Sequence, residues 1–546
     1  MPARADILAG LAIAGLLLPE AVAYAGLAGL PPQAGVVALF TGLLTYALLG
    51  TSRFAIVSAT SSSAVVLLAV TSELAGHDMA LRLTLAAALV LLCGALFLAA
   101  GLARLGGVAS FIATPVLRGF SLGLALIIVT GQLLHMLALA PAGHDMAGML
   151  RTLASQWRQG HPPSLLTGLG ALLMLRLLQR RSGVPGSLIV ILLGIMLGLS
   201  GLTSRLGIPE VGSFSLALPQ PTLPVLPTDL WLHLGQLALA LTLILYAESY
   251  GSISTFALRH GERTSANRDL MALGAANLLS GLLQGTPVGA GYSATAANEA
   301  AGARSRQAGL MAAAVLLALV LTLLPLISHL PRAVLAAIVI HAVSHSLSLT
   351  PLRTYFRWHR DRGIVLTAIA AVLVLGIVNG LLTAIALSLA LLLRQLSVPR
   401  LSWLGRLGSS HDFVDISRHA DARPPAGIAI VRPELPLFFA NVNTVLTSIQ
   451  DHLANERAMH TLVLSLEESA DLDGSSLEAL AGFAASLRRQ GVRLVLARVK
   501  DRVRDLLVRA DEPALADVVM GWSVDDAVSA ALAGLAAPEG SAAEGV

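Results

Sequence analysis

Two short stretches hold the polar groups best placed to do chemistry in an otherwise apolar chain. "VGAGYSATAANEAAG" (288–302) sets Ser293, Thr295, Asn298 and Glu299 behind Pro287, Gly289 and Gly291, and "IVSATSSSAVV" (56–66) echoes its tripeptide as Ser58-Ala59-Thr60. Each lies downstream of a Glu embedded in an apolar run, Glu20 in "LLLPEAVAYAG" and Glu248 in "LILYAESYGSIS". A charged group at mid-membrane costs roughly 2.5–3.5 kcal/mol even on lenient insertion scales, so Glu20, Glu248 and Glu299 are candidates for function. Glycine and proline ahead of Ser and Thr let the backbone turn into a helix start. There, unpaired N–H groups and about half a positive elementary charge attract an anion. Two such starts meeting head to head would form one anion site, with Ser293 and Thr295 adding hydroxyl donors and Asn298 bonding the neighbouring half. An ionised Glu beside an anion repels it, so Glu248 is expected to take a proton or pair with a cation, which would couple the two.

The elements that must position these groups are membrane helices. Of 546 residues, 55% are hydrophobic and 12% charged, and the mean hydropathy is +0.76, more apolar surface than a soluble core can hide. Runs at 83–103, 120–140 and 308–327 reach the roughly 20 residues needed to cross the hydrocarbon layer. The first apolar run continues through Pro19 and Glu20 without a small-residue cleavage pattern, so it reads as the first helix and not as a signal peptide. The arginines that give a pI near 9.6 fall in short loops, which points to membrane orientation and away from nucleic acid. Placing most clusters on the cytoplasmic side requires about fourteen helices or half-helices, with both termini cytoplasmic and Arg151, Arg158 and Arg332 opposite. The paired Glu and Ser-Ala-Thr motifs read as two copies of one plan, an inverted repeat with broken helices near the midplane, as in secondary transporters.

At about residue 400, charges, His and Pro enter at globular frequency. The expected organisation is a transmembrane domain over 1–400, a soluble α/β domain over 411–530 and a disordered tail over 531–546. Strands are predicted at 427–441, 461–469 and 492–499, and helices at 475–490, led by capping serines, and 501–510. The lone Cys93 sits in an apolar run, which leaves no disulfide or thiolate metal site. His341 and His345 have the spacing of a zinc pair but no third ligand, and no cofactor is expected. Gln132, polar and central in its helix, suits the cavity or an interhelical hydrogen bond, the cavity first. Ser and Thr in membrane helices often bond only a carbonyl one turn back, but two motifs, each beyond a buried Glu, favour function over that structural role. The soluble part shows no nucleophile–base pair, phosphate loop or metal cluster, which argues against an enzyme.

The chain resembles the sulfate permease (SulP) family of anion transporters. "DILAGLAIAGLLLPEAVAYAGLAGLPPQAGVVALFTGLLTYALLGTSR" resembles its first two helices, "SFIATPVLRGFSLGLALIIVTGQL" its fifth and "LPRAVLAAIVI" a later one, while "LPLFFANVN" and "DLDGSSLEAL" resemble blocks of its cytoplasmic STAS domain. The resemblance implies seven-plus-seven inverted-repeat topology with core and gate domains. It also implies a homodimer, elevator-like motion and an anion substrate such as sulfate, bicarbonate or a dicarboxylate. By position, Glu20, Tyr24, Ser61, Ser62, Glu248, Ser293, Ala294 and Thr295 fall where members line the site. Many members carry Gln at Glu20 and some a basic residue at Ala294, so coupling to H⁺ or Na⁺ is expected here, in a bacterial-type inner membrane. The competing readings are an uncoupled channel or exchanger and a membrane-anchored signalling protein with the STAS domain as output. The family's STAS domain resembles domains with a phosphorylatable Ser, where Ser475 and Ser476 stand here.

Overall fold

The computed structural model of the protein describes residues 4–536 except 77, 108–112, 141–144, 180–185, 213–220, 360 and 457–458. The chain divides into two units, Met1–Ser388 and Leu389–Val546.

The first unit is helical apart from two three-residue strands. Its first half runs α1 (Arg4–Leu27), α2 (Pro32–Leu49), β1 (Val57–Ala59), α3 (Ser61–Ala75), α4 (Met79–Leu102), α5 (Thr114–Met136), α6 (Met146–Gln156), α7 (Pro162–Gln179), α8 (Gly186–Leu199) and α9 (Leu202–Leu206). Its second runs α10 (Thr228–His260), α11 (Ala266–Leu282), β2 (Val288–Ala290), α12 (Tyr292–Ala300), α13 (Gln307–Leu323), α14 (Arg332–Val343), α15 (Thr350–Trp358), α16 (Arg362–Leu375) and α17 (Ile377–Ser397), which continues into the second unit. Among the described residues, five helices are long and apolar enough to cross a membrane, namely α1, α2, α4, α5 and α10, and six further apolar stretches are shorter. The runs expected at 83–103, 120–140 and 308–327 fall on α4, α5 and α13.

The order helix, helix, short strand, helix, helix occurs twice, in α1 to α4 and in α10 to α13, and the packing follows it. Contacts come in matched pairs: α4 with α11 and α13 with α2; α1 with α13 and α10 with α4; α1 with α12 and α10 with α3. The most extensive, between α4 and α11, depends on glycine, since a Cβ on Gly94 would lie 2.7 Å from Leu278 N and one on Gly274 2.8 Å from Leu98 N. α5 packs mainly against α16 and α14, and α7 against α14.

The second unit is an α/β domain. β3 (Leu401–Leu407), β4 (Phe413–Asp415), β5 (Ala422–Arg423), β6 (Ile428–Pro433), β7 (Thr461–Ser465), β8 (Arg493–Ala497) and β9 (Val519–Gly521) form one sheet in the order β4-β3-β6-β7-β8-β9, with β5 also on β3. β6 to β9 are parallel and β3 antiparallel to β6. α18 (Val442–Asn455), α19 (Gly474–Arg489) and α20 (Asp501–Ala510) bury one apolar cluster and α21 (Val524–Ala536) another. Strand β7 is buried along its whole length, as a parallel strand covered on both faces must be.

Three expectations need correcting in this unit. Of 427–441 only 428–433 is strand, because Pro433 and Pro436 remove ladder donors and the chain turns into α18. The α19 cap is Asp473 and neither serine, its Oδ1 accepting the Ser476 N–H at 2.8 Å. Burial pushes the Asp473 carboxyl up, but the Ser476 and Phe439 amides that bond it outweigh this and hold it below its ordinary value. Lastly, α21 continues through residues 531–536, part of the stretch expected to be a disordered tail, and 537–546 lie outside the described residues.

Candidate functional site

The two motif stretches meet. β1 pairs antiparallel with β2, Val57 opposite Ala290, Ser58 opposite Gly289 and Ala59 opposite Val288. Because the strands run in opposite directions and each leads into a helix, α3 and α12 depart from opposite ends of one ladder, and the positive ends of both dipoles face its middle. The ladder is wedged between helices at glycine. A Cβ on Gly42 of α2 would lie 2.4 Å from Val57 O, and one on Gly289 would lie 2.9 Å from the Leu245 side chain of α10.

This register corrects the Ser-Ala-Thr echo. Ser58 and Ala59 are strand residues and Thr60 is the cap of α3, whereas Ser293, Ala294 and Thr295 already lie in the first turn of α12. Aligned on the ladder, Ser58 corresponds to Gly289, and Ser62 to Ser293, each the second residue of its helix. Three identical letters carried no register, because strand pairing is decided by the helices that flank it.

A capping box starts α3. Thr60 Oγ1 accepts the Ser63 N–H at 3.2 Å, and Ser63 Oγ accepts the Thr60 N–H at 3.2 Å. Thr60 Oγ1 also lies 2.9 Å from Ser62 Oγ, and Ser62 Oγ donates to Glu248 Oε2 at 2.7 Å. With the Ser62 proton directed at the carboxylate, the Thr60 hydroxyl donates to Ser62, so the relay Thr60, Ser62, Glu248 joins the tip of α3 to the middle of α10. Glu248 and Glu20 are both half-buried, and among the described residues neither forms an ion pair. Tyr24, buried on α1, lies within electrostatic reach of both carboxyls. Ser61 is half-buried and Ser62 buried.

On the α12 side, Gly291 offers no side-chain cap, which leaves first-turn amides open to a ligand. Ser293 is exposed, but its neighbours turn inward. Ala294 packs among Ile13, Val36 and Leu39, and the fully buried Thr295 donates to Gly291 O at 2.8 Å while accepting the Ile56 N–H at 3.4 Å. Asn298 bonds the other half as expected, its Nδ2 donating to Phe54 O at 3.0 Å. Glu299 pairs with Arg259 at 2.9 Å and His260 at 2.6 Å. Gln132 is buried on α5, which touches α3 but packs chiefly on α14 and α16. His341 is half-buried on α14, the His345 side chain lies outside the described residues, and no metal cluster occurs among the described residues.

Sequence reasoning missed the residues that hold the ladder. Asn277 of α11 donates to Val288 O at 2.9 Å and accepts the Val288 N–H at 3.0 Å, acting as a third strand one residue long. Ser249, beside Glu248, accepts the Ala290 N–H at 2.9 Å. With Val288 and Ala290 bonded outward, Ser58 and Gly289 form the inward hydrogen-bonded pair. Asp269 of α11 accepts from Tyr46 Oη at 2.9 Å, Thr51 N at 2.8 Å and Thr51 Oγ1 at 2.6 Å, which fastens the loop before β1. A signal was present for Asn277, a polar amide set among the small and apolar residues that follow Asp269 in α11, whereas Asp269 sits in the polar first turn beside Asn267 and Arg268 and does not stand out.

The chain is similar to known proteins along most of its length. The sulfate permease family profile matches residues 4–371 and the STAS domain profile residues 419–518. A probable sulfate transporter of Mycobacterium tuberculosis is 32% identical over 510 residues, covering 92% of this chain and 90% of the relative. Murine Solute Carrier 26 family member A9, an anion transporter solved in the inward-facing state, shares the fold with a TM-score of 0.88 at 22% identity, over 97% of this chain and 91% of that one. The transmembrane domain of a cyanobacterial bicarbonate transporter gives 0.62 at 25% identity, over 70% of this chain and 97% of its own.

Proposed function

This chain belongs to the sulfate permease family, and from that premise we propose that it carries a small anion, sulfate first among the candidates, by secondary active transport coupled to H⁺ or Na⁺. It is an integral multi-pass membrane transporter with a STAS domain, and not an enzyme. The observation that carries the proposal is the hydrogen bond from Ser62 to Glu248 at the junction of two opposed helix starts. The amides of both starts attract the anion, with the hydroxyls of Ser61, Ser62 and Ser293 as further donors. Glu248 binds the coupling cation, since a bare carboxylate beside the anion would repel it. Glu20 and Tyr24 line the same space from α1. The inward contacts of Ala294 and Thr295 give them the role of shaping the α12 start, and Gln132 lies on the scaffold side.

Matched contacts in α1–α4 and α10–α13 support an inverted repeat that moves as one core. Packing among α5, α7, α14 and α16 supports a separate gate, and the two together support elevator-type exchange. In this reading seven spans repeat to give fourteen, both termini are cytoplasmic in a bacterial inner membrane, and protomers pair as homodimers. The test is purified protein in liposomes offered labelled sulfate, bicarbonate or succinate under imposed proton or sodium gradients. Glu248→Gln abolishes gradient-driven uptake while leaving anion binding measurable. Unchanged gradient-driven uptake in that variant removes the coupling role, and uptake in the wild type that ignores every gradient favours a channel.

A further inference from the structure

α15 is the amphipathic exception among these helices. It lies between the apolar helices α14 and α16, where the chain leaves one apolar segment and enters the next, the place expected of a segment at a bilayer surface. One side is anchored: Leu352 is buried with Leu122 and Val365, and Tyr355 packs against them. The other side is largely open among the described residues, with the Trp358 ring edge-on to Tyr355. Leu349 is 52%, Phe356 41% and Trp358 60% exposed, and Arg353 and Arg357 are exposed among them. The segment 349–362 contains Arg353, Arg357, Arg360 and Arg362 against the single acid Asp361. Aromatic side chains at headgroup depth, interleaved with guanidinium groups that bond phosphate in bidentate fashion, fit an anionic membrane surface.

We propose that the free face of α15 is a binding surface for anionic phospholipid, with Arg353 and Arg357 on the headgroup phosphates and Phe356 and Trp358 seated at the acyl boundary. A basic residue near a charged bilayer contributes about 1 kcal/mol, or about fivefold in lipid preference for each arginine. The probe is full-length protein in nanodiscs of phosphatidylcholine with or without phosphatidylglycerol, with retained lipid counted by native mass spectrometry. Wild-type protein retains phosphatidylglycerol over phosphatidylcholine, and high salt lowers that preference. Arg353→Gln with Arg357→Gln loses it by about fivefold per arginine, whereas Arg353→Lys with Arg357→Lys keeps most of it. A second measurement needs no charge variant: brominated phosphatidylglycerol quenches tryptophan emission in wild-type protein, and the part due to α15 vanishes in Trp358→Phe. Equal retention of both lipids by wild-type protein, undiminished preference in the Gln variant, or identical quenching in Trp358→Phe overturns the proposal. None of these readouts depends on transport.

Discussion

Asn277→Leu tests how the ladder is held. Asn277 and Val288 are both fully buried, and the amide of Asn277 satisfies the N–H and C=O of Val288 together. Leucine has the same branching and the same number of side-chain heavy atoms, so no cavity forms, and Leu273 O, which also accepts from Asn277 Nδ2, keeps its helical partner. What remains is two orphaned backbone groups, each costing about 1–3 kcal/mol, or about 2–6 kcal/mol in all. Since 1.4 kcal/mol is a factor of ten, the lower bound predicts that the peptide carrying Val288 exchanges its amide hydrogens about thirtyfold faster than in the wild type. Hydrogen exchange with mass spectrometry on the full chain in detergent reads this directly, and peptides from the α/β unit serve as the internal control. Anion affinity falls with it, because β2 aims the start of α12. Wild-type exchange at Val288 in a folded variant would refute the reasoning, since the side chain would then be no strand partner at all.

Gly35→Ala places a Cβ 2.0 Å from Ala21 O where α2 crosses α1, an overlap with rigid backbone, so a loss of 1–3 kcal/mol or more is expected, seen as a lowered melting temperature or loss of the monodisperse peak. In the α/β unit, Asp525 bonds His411 at 2.6 Å and Arg406 at 2.6 Å, and those bonds, His411 first, hold its carboxyl below the ordinary value. A depressed folded-state value stabilises above the unfolded value near ~3.9 and is lost as pH falls below it. Wild-type protein therefore melts above Asp525→Asn at neutral pH, by no more than about 1 kcal/mol for so accessible a pair, and the gap closes in acid.

The broad architecture was legible because hydrophobicity is local. Apolar runs mark α4, α5 and α13, and alternating strand and helix signals locate β7, α19, β8 and α20. Pro287, Gly289 and Gly291 ahead of Ser293, and the small polar run before α3, announced the interrupted helices, and Asn298 was rightly read as a bridge between halves. Strands β3, β4, β5 and β9 and helices α18 and α21 went unread; a strand is stabilised by the neighbours it pairs with more than by its own composition.

What only tertiary structure decided is register and partnership. The Ser-Ala-Thr echo pointed to Ser58 as the counterpart of Ser293, whereas the folded chain pairs Ser58 with Gly289, makes Ser62 the position equivalent to Ser293 and sends Thr295 inward. That choice is made by α2, α10 and α11, far away in sequence, which press on the ladder through Gly42, Gly289, Ser249 and Asn277. A buried backbone group must find a partner wherever the packing brings one, and no pattern along the chain records which side chain will arrive.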